Sequence, residues 1–369
     1  MLQRTRRRVL QSLGIGGTAA VAGCVSAPDQ PGSTEANGNP TNTDPMSTSP
    51  RNTNANEGAD VDVDRIAADP TAVPDPIDRN GPTQHDVTLR TEEATAEVEP
   101  GVTFDYMTFG GQIPGPMIRV RQGDTVNLTI ENPEDSNLPH NVDFHAVYGT
   151  GGGAAATNVA PGESNQIRFR TEYPGAYIYH CAVPNLDMHI SAGMFGMILV
   201  EPEDGLPEVD REFYLGQHEL YTDTKAGEEG HHGFNFGDMR REDPTYVVFN
   251  GEKYPFTEDR YGRLSAQKGE QIRVFLVTGG PNVTSNFHPI GNVWTKAWPN
   301  GAVASQPDEY VQTMKVAPGS CFVGTIDTPV PETIKLVDHA LSRVARKGLL
   351  AEINVEGEPE PDIYDPDPS

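Results

Sequence analysis

The sequence predicts an all-β fold made of two tandem Greek-key β-sandwiches. From about residue 84, short segments alternate apolar and polar residues, and Gly, Pro and Asp separate them at intervals of roughly ten residues, as the strands and turns of a sandwich require. The series then begins again, and "VRQGDTVNLTIEN" in the first half has a counterpart in "AQKGEQIRVFLVT" in the second. Two related sandwiches are the natural interpretation of this repeat.

Residues 1–23 have the features of an export leader. "TRRRVLQ" is a twin-arginine pattern, and the apolar run after it is too short for a transmembrane helix. That run ends in "VAGC", which resembles a lipobox in which Cys24 becomes the lipidated first residue, whereas a plain cleavage site before a cysteine is the alternative. We therefore predict export by the twin-arginine route to the outer face of the cytoplasmic membrane, with membrane contact only through this lipid anchor.

The remaining boundaries follow from composition. Residues 24–80 are rich in Ser, Thr, Asn, Pro and Gly, which predicts a disordered tether. The first sandwich is predicted over 81–205 and the second over 206–356, followed by an acidic, Pro-rich tail at 357–369. A polar, Gly-rich excursion at 222–243 interrupts the second sandwich, and we interpret its His231 and His232 as solvated.

The net charge of −26 makes nucleic acid an unsuitable partner, because two polyanions repel. The acidic residues are spread along the chain and lysine is scarce. This composition is typical of proteins adapted to high salt, and it suggests a halophilic archaeal origin.

One group of histidine, cysteine and methionine has the spacing of a metal site. In "YHCAVPNLDMHISAGM", Cys181 is followed by His189 and then by Met194, and His140 lies upstream in "LPHNVDFHA". Two imidazoles, a thiolate and a thioether are the ligands of a blue (type 1) copper centre, with methionine as the weak axial ligand. Beyond the leader, Cys321 is the other cysteine; we interpret it as a core residue, although a disulfide with Cys181 stays open.

His145 and His180 require a second site. Neighbouring side chains on a strand point to opposite faces, so His180 cannot easily bind the same metal as Cys181. His145 is placed in the same way relative to His140. We therefore predict that His145 and His180 bind a second copper, and that the His180–Cys181 peptide links the two sites.

Four motifs together resemble the copper-containing nitrite reductases, and the resemblance covers residues 84 to 356 in the family's order. They are "LPHNVDFHA", "YHCAVPNLDMHISAGMFGMILVEPEDGLP", "SNFHPIGNVW" and "LVDHALSR". The resemblance implies two cupredoxin domains, a homotrimer, and two coppers per subunit. Type 1 copper would be bound by His140, Cys181, His189 and Met194. Type 2 copper would be bound by His145, His180 and His339, with His339 supplied by the adjacent subunit.

The same resemblance implies the reaction and its further residues. Nitrite would be reduced to nitric oxide by one electron that passes from type 1 to type 2 copper, as in denitrification, with a small cupredoxin or a cytochrome c as the donor. Asp143 and His288 match the family's proton-handling pair, and Ile290 matches the residue that shapes the substrate pocket. Pro289 departs from the pattern, because an aliphatic residue is expected after the catalytic histidine.

Two alternatives share the fold or part of the ligand set. A two-domain multicopper oxidase needs several His-x-His pairs and a His-Cys-His, whereas this sequence has no His-x-His and has alanine at position 182. A non-catalytic cupredoxin electron carrier would account for the type 1 ligands but would leave His145, His180 and His339 unexplained.

Overall fold

The alternating segments form four stacked β-sheets. The structure, a computed structural model, describes residues 65–368, all of which belong to one compact unit, Ala59–Ser369. Among these residues, no helix has the length and apolar character needed to cross a membrane. The predicted leader, Cys24 and the tether up to residue 64 lie outside the described residues.

The first sandwich pairs a five-stranded sheet with a four-stranded sheet. The five-stranded sheet has the order β10-β2-β1-β4-β6, and the four-stranded sheet has the order β3-β8-β7-β5. Their strands are β1 (Gln84–Glu99), β2 (Val102–Phe109), β3 (Ile118–Arg121), β4 (Thr125–Glu131), β5 (Asp143–Phe144), β6 (Ser164–Arg170), β7 (Gly175–His180), β8 (Phe195–Glu201) and β10 (Gly230–His232).

The second sandwich pairs a six-stranded sheet, β11-β9-β13-β18-β15-β16, with a five-stranded sheet, β12-β20-β19-β14-β17. Its strands are β9 (Arg211–Leu220), β11 (Tyr246–Phe249), β12 (Leu264–Gln267), β13 (Gln271–Gly280), β14 (Ser285–Ile290), β15 (Trp294–Trp298), β16 (Asp308–Val311), β17 (Met314–Val316), β18 (Ser320–Asp327), β19 (Glu332–Asp338) and β20 (Leu350–Glu356). The predicted all-β fold of two tandem sandwiches is confirmed.

Three apolar layers hold the four sheets together, one inside each sandwich and one between them. Strand β8 shows how this works: Ile198 and Val200 face the core of the first sandwich, whereas Met197 and Leu199 face the layer shared with the second. Because successive side chains of a strand alternate, a strand covered on both faces needs a continuous apolar sequence. The run "FGMILV" meets that need, and every residue of β8 is buried.

Within residues 65–368, three short helices and two 3-10 turns accompany the strands. They are α1 (Leu186–Ser191), α2 (Phe236–Arg240), α3 (Ser342–Lys347), and the turns at Thr150–Gly153 and Pro299–Gly301. The helix α1 carries His189, one of the predicted copper ligands.

The excursion at 222–243 is more ordered than its composition suggests. It contains β10, which pairs in parallel with β2 and so extends a sheet of the first sandwich. His231 is exposed as predicted, but the prediction of a solvated His232 is wrong: this side chain is buried, and its Nε2 lies 2.7 Å from the carbonyl oxygen of Glu228. Burial follows from the strand pairing, because adjacent residues of β10 point to opposite faces.

The first part of residues 65–80, which composition assigns to the tether, is packed structure: Ile66, Ala67 and Ala68 are buried, whereas residues 71–80 are exposed or half-buried. Ile66 is buried in the layer between the sandwiches, and its carbonyl accepts a hydrogen bond from the backbone of Ile113. The backbone N–H of Ala67 donates to Glu252 at 3.1 Å, and the guanidinium of Arg65 lies 4.0 Å from the ring centre of Tyr261. The segment is ordered because it docks on surfaces formed by distant residues, which its own composition does not reveal.

Candidate metal centres

The predicted type 1 ligands meet at one end of the first sandwich. The Sγ atom of Cys181 lies 3.9 Å from Nδ1 of His140 and 3.7 Å from Nδ1 of His189. These three residues form a group that could hold a metal ion, and each is at most 3% exposed. Met194 is also fully buried, in the same apolar core as Cys181.

A short closed loop brings these ligands together. Cys181 directly follows β7 and Met194 directly precedes β8, and the backbone N–H of Cys181 donates to the carbonyl of Met194 at 3.1 Å. Between them, α1 presents His189, whose carbonyl accepts from the N–H of Met194 at 3.0 Å. His140 comes from a separate loop, which pairs with Val159 through two backbone hydrogen bonds.

Burial keeps both imidazoles neutral. It lowers the pKa of His140, and burial together with the neighbouring His140 lowers the pKa of His189 to about 4. Burial raises the pKa of the Cys181 thiol, although backbone N–H groups of Val183, Asn141 and Ala182 partly oppose it. Neutral imidazole is the form that binds metals, and the thiol must release its proton when a metal binds.

The geometry fits a copper ion. Imidazole nitrogen and thiolate sulfur bind first-row metals at about 2.0–2.3 Å, so two such ligands of one ion lie roughly 3.6 Å apart or slightly more. The observed distances of 3.7 and 3.9 Å are close to that spacing. A buried set of two imidazoles, a thiolate and a nearby methionine is the donor set of a type 1 copper.

His145 and His180 form a second pair on the opposite face of β7. Their Nε2 atoms are 3.1 Å apart, the spacing of two nitrogens bound to one metal at about 2.0–2.1 Å. Nδ1 of His180 lies 2.9 Å from the carbonyl oxygen of Cys181, so its proton sits on Nδ1 and Nε2 is free to bind a metal. Desolvation and the neighbouring His180 lower the pKa of His145, which favours its neutral form.

Asp143 lies beside this pair. Strand β5 places Asp143 directly opposite His180 in an antiparallel pairing, so their side chains share one face. The Gly-rich turn after β5 wraps around the carboxylate: a Cβ added at Gly152 would lie 2.0 Å from Oδ1 of Asp143. Gly152 also has φ of +54°, a left-handed conformation that glycine adopts without strain.

His288, Ile290 and His339 lie together in the second sandwich. The rings of His288 and His339 are 5.3 Å apart, and Nδ1 of His288 is hydrogen-bonded to the carbonyl of Gln312. His288 and Ile290 share a face of β14, because they are two residues apart. His339 and Ile290 are exposed, so this cluster faces solvent in a single chain.

One chain does not complete a three-histidine site. Within residues 65–368, the group of three or more potential ligands found close together is the one formed by His140, Cys181 and His189. His339 therefore does not join His145 and His180 inside the chain. The pairs His145–His180 and His288–His339 are therefore separate within one chain.

Sequence reasoning missed two side chains that fix these ligands. Oδ1 of the buried Asn141 accepts from the N–H of Ala182 at 2.7 Å, which ties the His140 loop to the residue after Cys181. The buried Asp338 accepts from the N–H groups of Asn286 and Ala340 at 3.1 and 2.9 Å, which holds the turn that carries His339. A polar residue directly next to a predicted ligand was the available signal in both cases.

Three comparisons place the chain among known proteins. A family model described as multicopper oxidase matches residues 90–205. A copper-containing nitrite reductase of Neisseria meningitidis serogroup B is 43% identical over 301 residues, which is 82% of this chain and 76% of that protein. One from Cereibacter sphaeroides is 32% identical over 306 residues, covering 78% of this chain and 80% of that protein.

Solved structures also resemble this chain. A copper nitrite reductase from Nitrosomonas europaea has a TM-score of 0.67 and 30% identity, covering 76% of this chain and 96% of that chain. Since relatives above 30% identity are matched over most of their own length, the chain belongs to the family of copper-containing nitrite reductases.

Proposed function

We propose that this protein is a dissimilatory nitrite reductase that converts nitrite, one electron and two protons into nitric oxide and water. The observation that carries the proposal is that two adjacent residues at the end of β7 belong to two different ligand sets. His180 pairs with His145, whereas its neighbour Cys181 meets His140 and His189. A simple electron carrier needs only the second set.

Both ligand sets have a defined role in this proposal. His140, Cys181, His189 and Met194 would hold type 1 copper, and His145 and His180 would hold type 2 copper. When bound, the two coppers supply one-electron chemistry and an open position for nitrite. The peptide between His180 and Cys181 gives the two ligand sets a covalent connection, and the donor would be a small cupredoxin or a cytochrome c.

The third type 2 ligand is proposed to be His339 of a neighbouring copy. His339 is exposed, and a buried Asp338 holds its turn in place. A contact that joins the first sandwich of one copy to the second sandwich of the next is head-to-tail, so it must close into a ring to avoid open-ended growth. A homotrimer is the ring that we propose.

Asp143 and His288 are proposed to handle the protons. Asp143 shares a face with His180, so its carboxylate can hydrogen-bond a nitrite bound beside that ring. Nδ1 of His288 bonds to the carbonyl of Gln312, which leaves Nε2 directed away from that bond and able to exchange a proton. Ile290, on the same face of β14, would limit the space for substrate, with Pro289 between them on the buried side.

The test is nitrite turnover with a chemical reductant, paired with copper content and an EPR spectrum of the same sample. We expect nitric oxide formation, close to two coppers per chain, and one type 1 and one type 2 signal. One copper per chain, a type 1 signal alone and no turnover would establish the carrier instead.

We also propose that the protein is exported by the twin-arginine route, anchored by a lipid at Cys24 to the outer face of the cytoplasmic membrane, and adapted to high salt. The support is the "TRRRVLQ" and "VAGC" patterns and the net charge of −26. Membrane fractionation of the wild type and of Cys24→Ala tests the anchor: release of the variant supports it, and equal membrane association contradicts it.

A further inference from the structure

One carboxylate outside the predicted ligand sets points at a copper ligand. Oε1 of Glu93, on β1, lies 3.6 Å from Nε2 of His140. That nitrogen is buried and has no hydrogen-bond partner, while Nδ1 of the same ring faces the sulfur of Cys181. Glu93 thus places a carboxylate beside the free side of this imidazole.

Glu93 is held where it is by four hydrogen bonds. Its carboxylate accepts from Ser136 Oγ at 2.8 Å, from the backbone N–H groups of Asn137 and Leu138 at 2.9 and 3.1 Å, and from Asn137 Nδ2 at 2.6 Å. All four donors lie in the loop that leads into His140. A group that only accepts hydrogen bonds is in its ionised form, so a fixed negative charge faces the imidazole.

A buried N–H left without an acceptor costs free energy, whereas a carboxylate in line with it fixes the tautomer and makes the other ring nitrogen a stronger ligand. A gap of 3.6 Å closes to a normal hydrogen bond with a movement of about 0.7 Å or less. A nearby negative charge also favours the more highly charged of two metal oxidation states. For copper, that state is Cu(II).

We propose that Glu93 is a positioning residue of the type 1 centre: it accepts a hydrogen bond from Nε2–H of His140, fixes this ring with Nδ1 toward the metal, and lowers the reduction potential. This inference rests on the proposed type 1 ligand set. It adds to that set a partner which the ligand motifs do not contain.

The test is redox titration of the visible thiolate-to-copper band in the copper-loaded protein. Glu93→Gln keeps the size of the side chain and removes the charge. Loss of an outer partner typically changes metal affinity by about 10- to 100-fold. A tenfold loss of preference for Cu(II) over Cu(I) raises the potential by about 59 mV for one electron, and we expect a rise of at least this size with the visible band retained.

Glu92→Gln is the matched control, because it removes the same charge from the preceding residue of β1, whose side chain points to the other face. A rise in Glu93→Gln that is no larger than in Glu92→Gln, with the visible band present, overturns the role of Glu93 and leaves the ligand set intact. Absence of the band from the wild type would instead overturn the ligand set.

Ser136→Ala keeps the proposal testable if Glu93→Gln does not fold. It removes one bond to the carboxylate, and we expect a smaller rise in the potential with the same sign. In the Cu(I) wild type, ¹⁵N NMR should show a protonated Nε2 in His140. A protonated Nδ1 in that ring, or an unchanged potential in Ser136→Ala, contradicts the proposal.

Discussion

Replacing Gly152 with alanine should remove most nitrite turnover without touching a copper ligand. The added Cβ would lie 2.0 Å from Oδ1 of Asp143 and 2.6 Å from the carbonyl oxygen of Phe144, whereas ordinary contacts begin at 3.4 Å. The backbone of β5 cannot easily move, since Phe144 is fully buried. The turn at Gly152 must therefore shift away from β5, and the Asp143 carboxylate and this turn must separate by more than about 1 Å. A displacement of this size at a catalytic group typically costs about a hundredfold in rate.

The effect of backbone strain on turnover has to be distinguished from the effect of displacing Asp143, and Gly151→Ala serves as the control for strain. Gly151 has φ of +59° against +54° at Gly152, so alanine at either position carries the same left-handed cost of about 1–2 kcal/mol. A Cβ at Gly151 meets only Ala154, at an ordinary 3.4 Å. Gly151→Ala should thus lower stability alone, while Gly152→Ala lowers stability and turnover.

The assay is steady-state nitrite reduction with a chemical reductant, alongside copper content and the visible band. We expect Gly152→Ala to keep its coppers and to lose about a hundredfold in turnover, with Gly151→Ala close to the wild type. Equal turnover in the two variants would refute the argument that Gly152 exists to leave room for Asp143.

Three further changes test the site and the fold. Asp143→Asn keeps the size of the side chain but removes its acid–base function, so turnover should fall on the order of a hundredfold or more with both coppers retained; near-normal turnover would make Asp143 structural. His339→Ala should keep the visible band, empty the type 2 site and abolish turnover. Reassembly of His339→Ala subunits with Asp143→Asn subunits should restore part of the turnover. An active, fully copper-loaded monomer in sedimentation would contradict the shared site. Burial lowers the pKa of His218 to about 4, below the value of about 6.5 in an unfolded chain, so unfolding takes up a proton between these values. The contribution of His218 to the free energy of unfolding should then be complete above about pH 6.5 and fall by about 3 kcal/mol as pH drops toward 4. His218→Gln should reduce this decline when stability is measured by chemical denaturation at several pH values. An unchanged pH dependence in the variant would show that other groups cause the decline.

The predictable part of this structure is the part that local periodicity encodes. Each strand predicted in the first sandwich, from "HDVTLRTEEATAEVEPG" to "GMFGMILVEPE", appears as a strand or a pair of strands. His140, Cys181 and His189 meet as the ligand spacing predicts, because the loop between β7 and β8 is short and closed. Cys321 is a buried, free cysteine in the second sandwich, as is Cys181 in the first, so the disulfide left open by the sequence is absent between them.

The unpredicted part depends on contacts between distant residues. Residues 65–80 have the composition of a tether, yet Ile66 is buried. Its carbonyl accepts a hydrogen bond from Ile113, and the N–H of Ala67 donates to Glu252, so distant residues hold this segment in place. His232 is buried because β10 pairs with β2, more than a hundred residues earlier. Glu93 lies beside His140 because the loop before that histidine donates hydrogen bonds to the Glu93 carboxylate. No local sequence pattern predicts these contacts between distant residues.

Strand β7 explains how adjacent residues could serve the two proposed metal sites. Its side chains alternate between two cores: Ala176 and Ile178 face the layer between the sandwiches, whereas Tyr179 and Cys181 face the core of the first sandwich. His180 continues the first series, and Cys181 continues the second. A one-residue slip in the pairing of β7 with β8 would turn every apolar side chain to the wrong face and exchange the two ligands at the same time. The burial that fixes this register therefore also fixes the separation of the two metal sites, and the sites need no further device to keep their ligands apart.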